Sequence, residues 1–226
     1  MSADDDKRLA AIAAAAEIDA GMIVGLGTGS TAAHLIAHLG ERVRAGLKIT
    51  AVATSLATEA AARAAGIAVL PLDDIAEIDI AIDGVDEIDG QARAIKGAGG
   101  AMLREKIVAT AARRMIAIAD GSKRVAMLGH APVPVEVLPL ARAFVADRIA
   151  RLGATPVLRL RDGRPWRTDQ DNLILDSKFP GAFDPLATAA QLAAIPGLLG
   201  HGLFLDEIDS AYIAHDGAVS RVDRAR

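Results

Sequence analysis

The chain has 226 residues, enough for one large domain or two unequal ones and for a core that needs no disulfide or metal staple. It is 52% hydrophobic but only 3% aromatic, so its core is built from Ala, Val, Ile and Leu, which suits helices on a parallel sheet better than an aromatic-rich β-sandwich. A net charge of −4, with no basic face beyond a short Arg-rich tail, argues against a nucleic-acid binder, and the absence of cysteine excludes disulfides, thiolate zinc sites and a thiol nucleophile.

The first residues are acidic where a signal peptide is basic, and no apolar run of about 18 residues occurs, so a cytoplasmic protein that does not enter membranes is expected. Residues 3–19 read as a helix, with Asp4 to Asp6 at its start, favourable against the helix dipole, and Gly21 as its stop. Strand 22–27 runs into a glycine-rich turn and helix 32–44. Strand 48–55, helix 58–65, strands 67–72 and 78–82, helix 101–113 and strand 114–120 follow. Strands alternating with helices predict parallel pairing through right-handed crossovers.

The texture changes near Gly129, where Pro132, Pro134 and Pro139 punctuate the chain. A helix is expected over 140–152, strands over 155–161 and 173–176, a helix over 185–194, and strands over 198–205 and 211–214. The fold class is therefore α/β: a Rossmann-like, mostly parallel sheet with helices on both faces, plus a smaller α+β domain. Residues 1–129 together with 206–226 form the first domain and 130–205 the second.

Three stretches carry chemistry. The turn Gly25-Leu26-Gly27-Thr28-Gly29-Ser30-Thr31 joins a strand to a helix, where backbone N–H groups and the hydroxyls of Thr28, Ser30 and Thr31 suit a phosphate. The alternative is an ordinary turn with Ser30 or Thr31 as N-cap. A dinucleotide fingerprint would need glycine where Ser30 stands, and a P-loop would need a lysine before Ser30 or Thr31, so a small phosphate ester is the expected ligand.

Next, Asp83-Gly84-Val85-Asp86-Glu87-Ile88-Asp89 places carboxylates at a strand's carboxyl end, where they can hold sugar hydroxyls or move protons; the alternative is a solvated acidic turn. An EF-hand would need its glycine sixth, not second. Finally, Lys96-Gly97-Ala98-Gly99-Gly100 precedes a helix carrying Glu105, offering N–H donors and a cation to a developing oxyanion. Glu105 alone reads as an exposed helix residue; beside Lys96 and the acidic turn it reads as a member of a site. Lys7 and Lys123 can reach the phosphate or serve as surface charge. His34 and His38, four apart on a helix, lack a third ligand, and no metal site is expected there.

Taken together, the chain resembles the A-type ribose-5-phosphate isomerases. The resemblance rests on GLGTGST at 25–31, DGVDEID at 83–89, KGAGGAMLREK at 96–106 and IADGSKRV at 118–125, and continues through PVEVLPLA at 134–141, LILD at 173–176, DP at 184–185 and IPGLLGHGLF at 195–204. It implies an aldose–ketose isomerase of the non-oxidative pentose phosphate pathway that needs no cofactor and no metal and assembles as a homodimer or homotetramer.

By match to the family, Glu105 is the base and Lys96 with the Gly97, Ala98 and Gly99 amides stabilises the enediolate. Asp83 and Asp86, with Gly84 and Val85 between them, hold the sugar. Thr28, Gly29, Ser30 and Thr31 bind phosphate, assisted by Lys7 and Lys123. Two departures stand out. Ala98 interrupts the family's three glycines, and alanine would be strained if positive φ were required there. The later loop, Thr168-Asp169-Gln170-Asp171-Asn172, lacks the family's central glycine, which bears on its conformation more than on chemistry. Rival readings are an amino-sugar-phosphate deaminase or a sugar-phosphate lactonase on a similar scaffold, and a non-catalytic sugar-phosphate sensor. The motifs lack the histidine a deaminase would use and the chain has no room for a sensor's DNA-binding helix-turn-helix.

Overall fold

The computed structural model describes residues 2–225, so the first residue of the range 1–129 and the last of the range 206–226 lie outside it. Along the chain come α1 (Ala3–Ala15), β1 (Ile23–Leu26), α2 (Ser30–Arg44), β2 (Thr50–Ala53), α3 (Leu56–Ala64), β3 (Ala68–Val69) and β4 (Ile80–Gly84). Two short strands, β5 (Glu87–Ile88) and β6 (Ala94–Ile95), lead to α4 (Met102–Ala111) and β7 (Met115–Asp120). Then follow β8 (Val133–Val137), α5 (Arg142–Arg151), β9 (Thr155–Leu158), β10 (Leu160–Arg161), β11 (Arg164–Pro165), β12 (Leu173–Lys178) and α6 (Pro185–Ala193). The chain closes with β13 (Leu198–His201), β14 (Leu203–Phe204), β15 (Ser210–His215) and β16 (Ala218–Asp223).

Seven strands form the main sheet in the order β16-β15-β7-β4-β1-β2-β3, all parallel except the last hairpin, β15 with β16. Alternation along β4 shows how the sheet is covered. Ile80 and Ile82 face a core made with Ala10, Ala14, Leu35, Leu39 and Ala62 of α1, α2 and α3, whereas Ala81 faces a second core with Val108 and Ala109 of α4. Helices thus pack on both faces, as the α/β reading expects.

The low aromatic content has a structural counterpart in α1. Its buried stripe is Ala10, Ala11, Ala14 and Ala15, all with no exposure, and small side chains let α1 pack on α2 and on the sheet at once. Helix α1 ends at Ala15, earlier than expected, in a tighter turn of i to i−3 bonds, and the Arg42 guanidinium takes the carbonyls of Ala15 (2.5 Å) and Ile18 (3.0 Å) there.

A four-stranded antiparallel sheet, β13-β8-β12-β9, packs with α5 and α6 around Val135, Val145, Ile149, Leu175 and Leu192. A three-stranded sheet, β14-β6-β5, connects this region to the site. The expected single strand 198–205 is two strands belonging to different sheets. The break falls at Gly202, whose N–H donates to the Pro134 carbonyl and whose carbonyl accepts from Lys96 N–H, both at 2.8 Å. A Cβ at Gly202 would overlap the Lys96 carbonyl oxygen, so only glycine lets these backbones meet. The hairpin β10–β11 and the strands β5, β6 and β16, each either two residues long or mostly exposed, lack the apolar alternation that marks a strand in sequence.

Gly202→Ala should cost about 1–3 kcal/mol of unfolding free energy in urea melts, the range for overpacking a tight contact. An unchanged melt would mean that the Lys96 and Gly202 backbones separate freely.

Candidate active site

The site lies at the carboxyl ends of β1, β4 and β7, where the strand order reverses direction between β1 and β4, the place at which open α/β sheets bind ligands. A cavity of about 200 Å³ opens there. Its walls are Lys7, Thr28, Gly29, Ser30, Thr31, Gly84, Val85, Asp86, Lys96, Gly97, Ala98, Gly99, Glu105 and Lys123. Every residue that the resemblance gave a role therefore lines one cavity except Asp83, which sits behind Lys96, whereas Glu87 and Asp89 of the acidic run do not line it.

The side expected to hold a phosphate is the start of α2. Gly29 is its N-cap and no side chain caps it, so neither Ser30 nor Thr31 plays the capping role and the first-turn N–H groups stay available. Lys7 Nζ donates to Ser30 Oγ at 3.2 Å, which brings the α1 cation to the same rim. Lys123 arrives on a short helical turn after β7, fixed by Asp120, whose carboxylate accepts from Ser122 N–H at 3.0 Å.

Thr28 differs from expectation in its hydroxyl. Thr28 Oγ1 lies 2.7 Å from Thr54 Oγ1, 2.9 Å from Ser55 Oγ and 3.1 Å from Thr58 Oγ1, a cluster of hydroxyls that engages it away from any ligand. The β1–α2 turn is locked a second time by Asp83, whose Oδ1 accepts from Thr28 N–H (3.0 Å) and Gly84 N–H (2.6 Å). Gly27 passes so close to Asp83 that a Cβ would overlap the carboxylate.

The other side is a buried triad of two carboxylates and a lysine. Lys96 Nζ is 2.9 Å from Asp83 Oδ2 and 3.6 Å from Glu105 Oε2, and it also donates to the Gly84 carbonyl. Asp83, Lys96 and Glu105 are only 2%, 2% and 4% exposed. Burial by itself would lower Lys96, but the Asp83 and Glu105 carboxylates outweigh it and hold the ammonium above its ordinary value. Burial raises Asp83, against the pull of Lys96 and the two N–H groups. Glu105 is pushed up to about 8, by burial first and by repulsion from Asp83 and Asp86 next, with Lys96 opposing. Glu105 stands in the first turn of α4, and its Oε2 has no hydrogen-bond partner among the described residues.

The acidic run divides by task. Asp86 Oδ2 lies on the cavity wall and accepts from Ala98 N–H at 2.9 Å. Glu87 is buried and takes the N–H groups of Gly129 (2.8 Å) and Ala131, and Asp89 closes its own turn by accepting from Gln91 N–H, Arg93 N–H and the Arg93 guanidinium. The positive φ values of the glycine loop fall at Gly97 (105°) and Gly100 (81°), so Ala98 carries no backbone strain. In the later loop the lost glycine does matter to conformation: Asp171 has φ 60°, a region that aspartate tolerates better than most residues. Glu136 Oε1 fixes that loop by accepting from Thr168 Oγ1 (2.8 Å) and Asn172 Nδ2 (2.9 Å). His34 and His38 lie against Asp4 (3.0 Å) and Glu41 (4.0 Å) on the outer face of α2.

Sequence reasoning passed over the hydroxyl cluster, the Phe204 ring 5.4 Å from Lys96 Nζ, and Arg159 with Asp176, which grip the glycine loop from outside. Asp176 left one signal, an acid ending the apolar strand segment LILD.

Fold and site together define a class: an α/β enzyme with an uncapped helix start and a buried acid–lysine–acid triad at the switch point of its sheet. Comparison with known proteins carries this to a family. The family profile described as Ribose 5-phosphate isomerase A (phosphoriboisomerase A) matches residues 50–217. The ribose-5-phosphate isomerase A of Sphingopyxis alaskensis is 51% identical over 214 residues, covering 95% of this chain and 94% of the relative. That of Methanosarcina acetivorans is 47% identical, covering 98% and 95%. Among solved structures, a D-ribose-5-phosphate isomerase in complex with phospho-erythronic acid superposes with a TM-score of 0.95 at 36% identity, covering 99% of this chain and all of the other. The Plasmodium falciparum enzyme gives the same TM-score at 34% identity, with 99% and 100% covered. The chain belongs to the ribose-5-phosphate isomerase A family, and it is an isomerase.

The raised Glu105 makes a prediction about stability. Between its unfolded value near 4.5 and its folded value of about 8, the native state holds a proton that the unfolded chain has lost. This contribution is fully present below pH 4.5 and is lost as pH rises towards 8. Glu105→Gln cannot ionise, so its unfolding free energy relative to wild type should improve between pH 5 and pH 8; parallel pH–stability curves would contradict the shift.

Proposed function

We propose that the chain interconverts D-ribose 5-phosphate and D-ribulose 5-phosphate at this cavity, as a step of the non-oxidative pentose phosphate pathway. The observation that carries the reading is the placement of a basic, buried carboxylate and a buried ammonium 3.6 Å apart, beside an uncapped helix start, in a cavity of a size suited to a single small metabolite. The relative solved with phospho-erythronic acid supports it, because that ligand combines a phosphate with a short polyhydroxy acid.

The reaction moves a hydrogen from C2 to C1 and shifts a hydroxyl hydrogen between the two oxygens, with no net oxidation. Glu105 takes the C2 proton as a carboxylate and returns it at C1. A carboxylate with a pKa near 8 is a stronger base than an ordinary one, which suits a weakly acidic C–H. The enediolate charge is met by Lys96 Nζ and the N–H groups of Gly97 and Gly99, the Ala98 N–H being engaged by Asp86. Asp83 acts through Lys96, keeping it charged and in place; Asp86 stands on the wall where sugar hydroxyls would lie. Phosphate at the start of α2, with Lys7 and Lys123, fixes the far end of the substrate and so orients the reacting carbons.

Residues 130–205, centred on the four-stranded sheet, we assign to a smaller domain that takes part in homodimer or homotetramer formation; the exposed Leu140, Phe144 and Val157 support that assignment. No helix among the described residues is long and apolar enough to cross a membrane, which fits a cytoplasmic enzyme.

Glu105→Gln should lower kcat by about 10²–10⁴-fold and abolish solvent-proton exchange at C2 while phosphate-ester binding persists. Turnover at the wild-type level would remove Glu105 as the base. Lys123→Ala should raise KM by about 10–100-fold with a smaller effect on kcat, as expected for loss of a charged hydrogen bond made equally in ground and transition states. A loss confined to kcat would place Lys123 in the chemistry instead.

A further inference from the structure

Arg159 lies in the segment between β9 and β10, remote in sequence from all three motifs. Its side chain is only 10% exposed, and four of its five N–H donors are committed. Nε donates to Asp176 Oδ2 at 2.8 Å and Nη2 to Asp176 Oδ1 at 2.5 Å, a two-point fork. Nη1 donates to the carbonyl of Gly97 and to that of Ala98, both at 3.0 Å. The residue's own backbone is held as well: Arg159 N–H donates to Ile174 O and Arg159 O accepts from Trp166 N–H, both at 2.9 Å. The Trp166 ring stacks by the guanidinium at 5.2 Å and meets Gly100 of the same glycine loop.

Peptide planarity converts this grip into a statement about the cavity. In a trans peptide the carbonyl of one residue and the N–H of the next point in opposite directions. Holding the Gly97 carbonyl therefore aims the Ala98 N–H away from Arg159, and this N–H meets Asp86 on the cavity wall. Holding the Ala98 carbonyl aims the Gly99 N–H the same way. Gly99 lines the cavity, and no protein acceptor takes its N–H among the described residues. The charge on the guanidinium also polarises both peptide units in the direction that strengthens their donors.

We infer that Arg159, braced by Asp176, is a positioning residue that orients the Gly99 N–H group towards the enediolate oxygens, and the Ala98 N–H towards Asp86, without touching the substrate. This inference rests on the reading of the 97–99 loop as the oxyanion cradle. It predicts a selective defect: charge developing at the reacting carbons loses stabilisation, whereas phosphate recognition at the start of α2 is untouched.

The test compares Arg159→Met, Arg159→Lys and Asp176→Asn with wild type. Measured quantities are kcat and KM for ribose 5-phosphate, the Kd of phospho-erythronic acid, the Kd of inorganic phosphate, and the melting temperature. The carboxylate of phospho-erythronic acid presents two coplanar anionic oxygens as an enediolate does; inorganic phosphate reads the phosphate loop alone. Arg159→Met should lower kcat about 10–100-fold, somewhat less than removal of a direct oxyanion donor. KM and the inorganic phosphate Kd should stay within about threefold, and phospho-erythronic acid should bind at least about tenfold more weakly. Arg159→Lys keeps the charge but cannot grip Asp176 and both carbonyls at once, so it should fall between. Asp176→Asn, which retains arginine and shape, should show a weaker form of the same pattern and decides the matter if the Arg159 variants do not fold. A folded variant set with kcat within twofold of wild type, or losses that follow inorganic phosphate affinity or melting temperature, would overturn the inference. Wild-type isomerisation together with failure of Glu105→Gln would leave the base assignment standing in that case.

Discussion

A single buried ammonium organises this protein. Removing one ion from water costs several kcal/mol even after relaxation, so Lys96 can stay charged at 2% exposure only if its surroundings answer it. Three segments do so: β4 contributes Asp83 and the Gly84 carbonyl, β6 delivers the lysine, and the first turn of α4 supplies Glu105. These segments belong to different sheets and a helix, and satisfying the ion requires all of them in register. The same arrangement leaves one carboxylate more than is needed to neutralise one lysine. Glu105 is the less closely paired, and burial makes it basic. What destabilises the folded chain at that position is also what makes this carboxylate a stronger base than an ordinary one.

The acid-rich segment shows how context assigns roles to identical groups. Four carboxylates within seven positions meet four environments. Asp83 stands behind the lysine and Asp86 on the cavity wall, while Glu87 and Asp89 close the backbone of neighbouring turns. The last two never approach the cavity, yet they hold the entry to β8 and the β5–β6 turn that carries the chain to Lys96.

Much of this was legible in the sequence because it is local. Glycine spacing before a helix, strand-end carboxylates and the Lys96-to-Glu105 interval are short-range patterns, and the structure gathers these residues around one cavity, with Asp83 directly behind it. The parallel sheet was legible too, since its buried strands are continuous apolar runs. What escaped notice depends on partners far apart in sequence. Nothing near Arg159 indicates that its guanidinium reaches back to Gly97, and nothing near Thr28 indicates that its hydroxyl is claimed by Thr54, Ser55 and Thr58. The division of 198–205 between two sheets was hidden for a related reason: the apolar pattern continues across Gly202, and only the crossing backbone of Lys96 explains the break.

That crossing has a mechanical consequence. One short run of chain is stitched first to β8 and, past Gly202, to the strand that leads into Lys96, so the small antiparallel sheet and the buried lysine share a weld. A hinge at this edge would tear the lysine from its carboxylates. The half of the cavity that holds the triad is thereby fixed to the small sheet, whereas Lys7 and Lys123 reach the opposite rim from α1 and from the turn after β7.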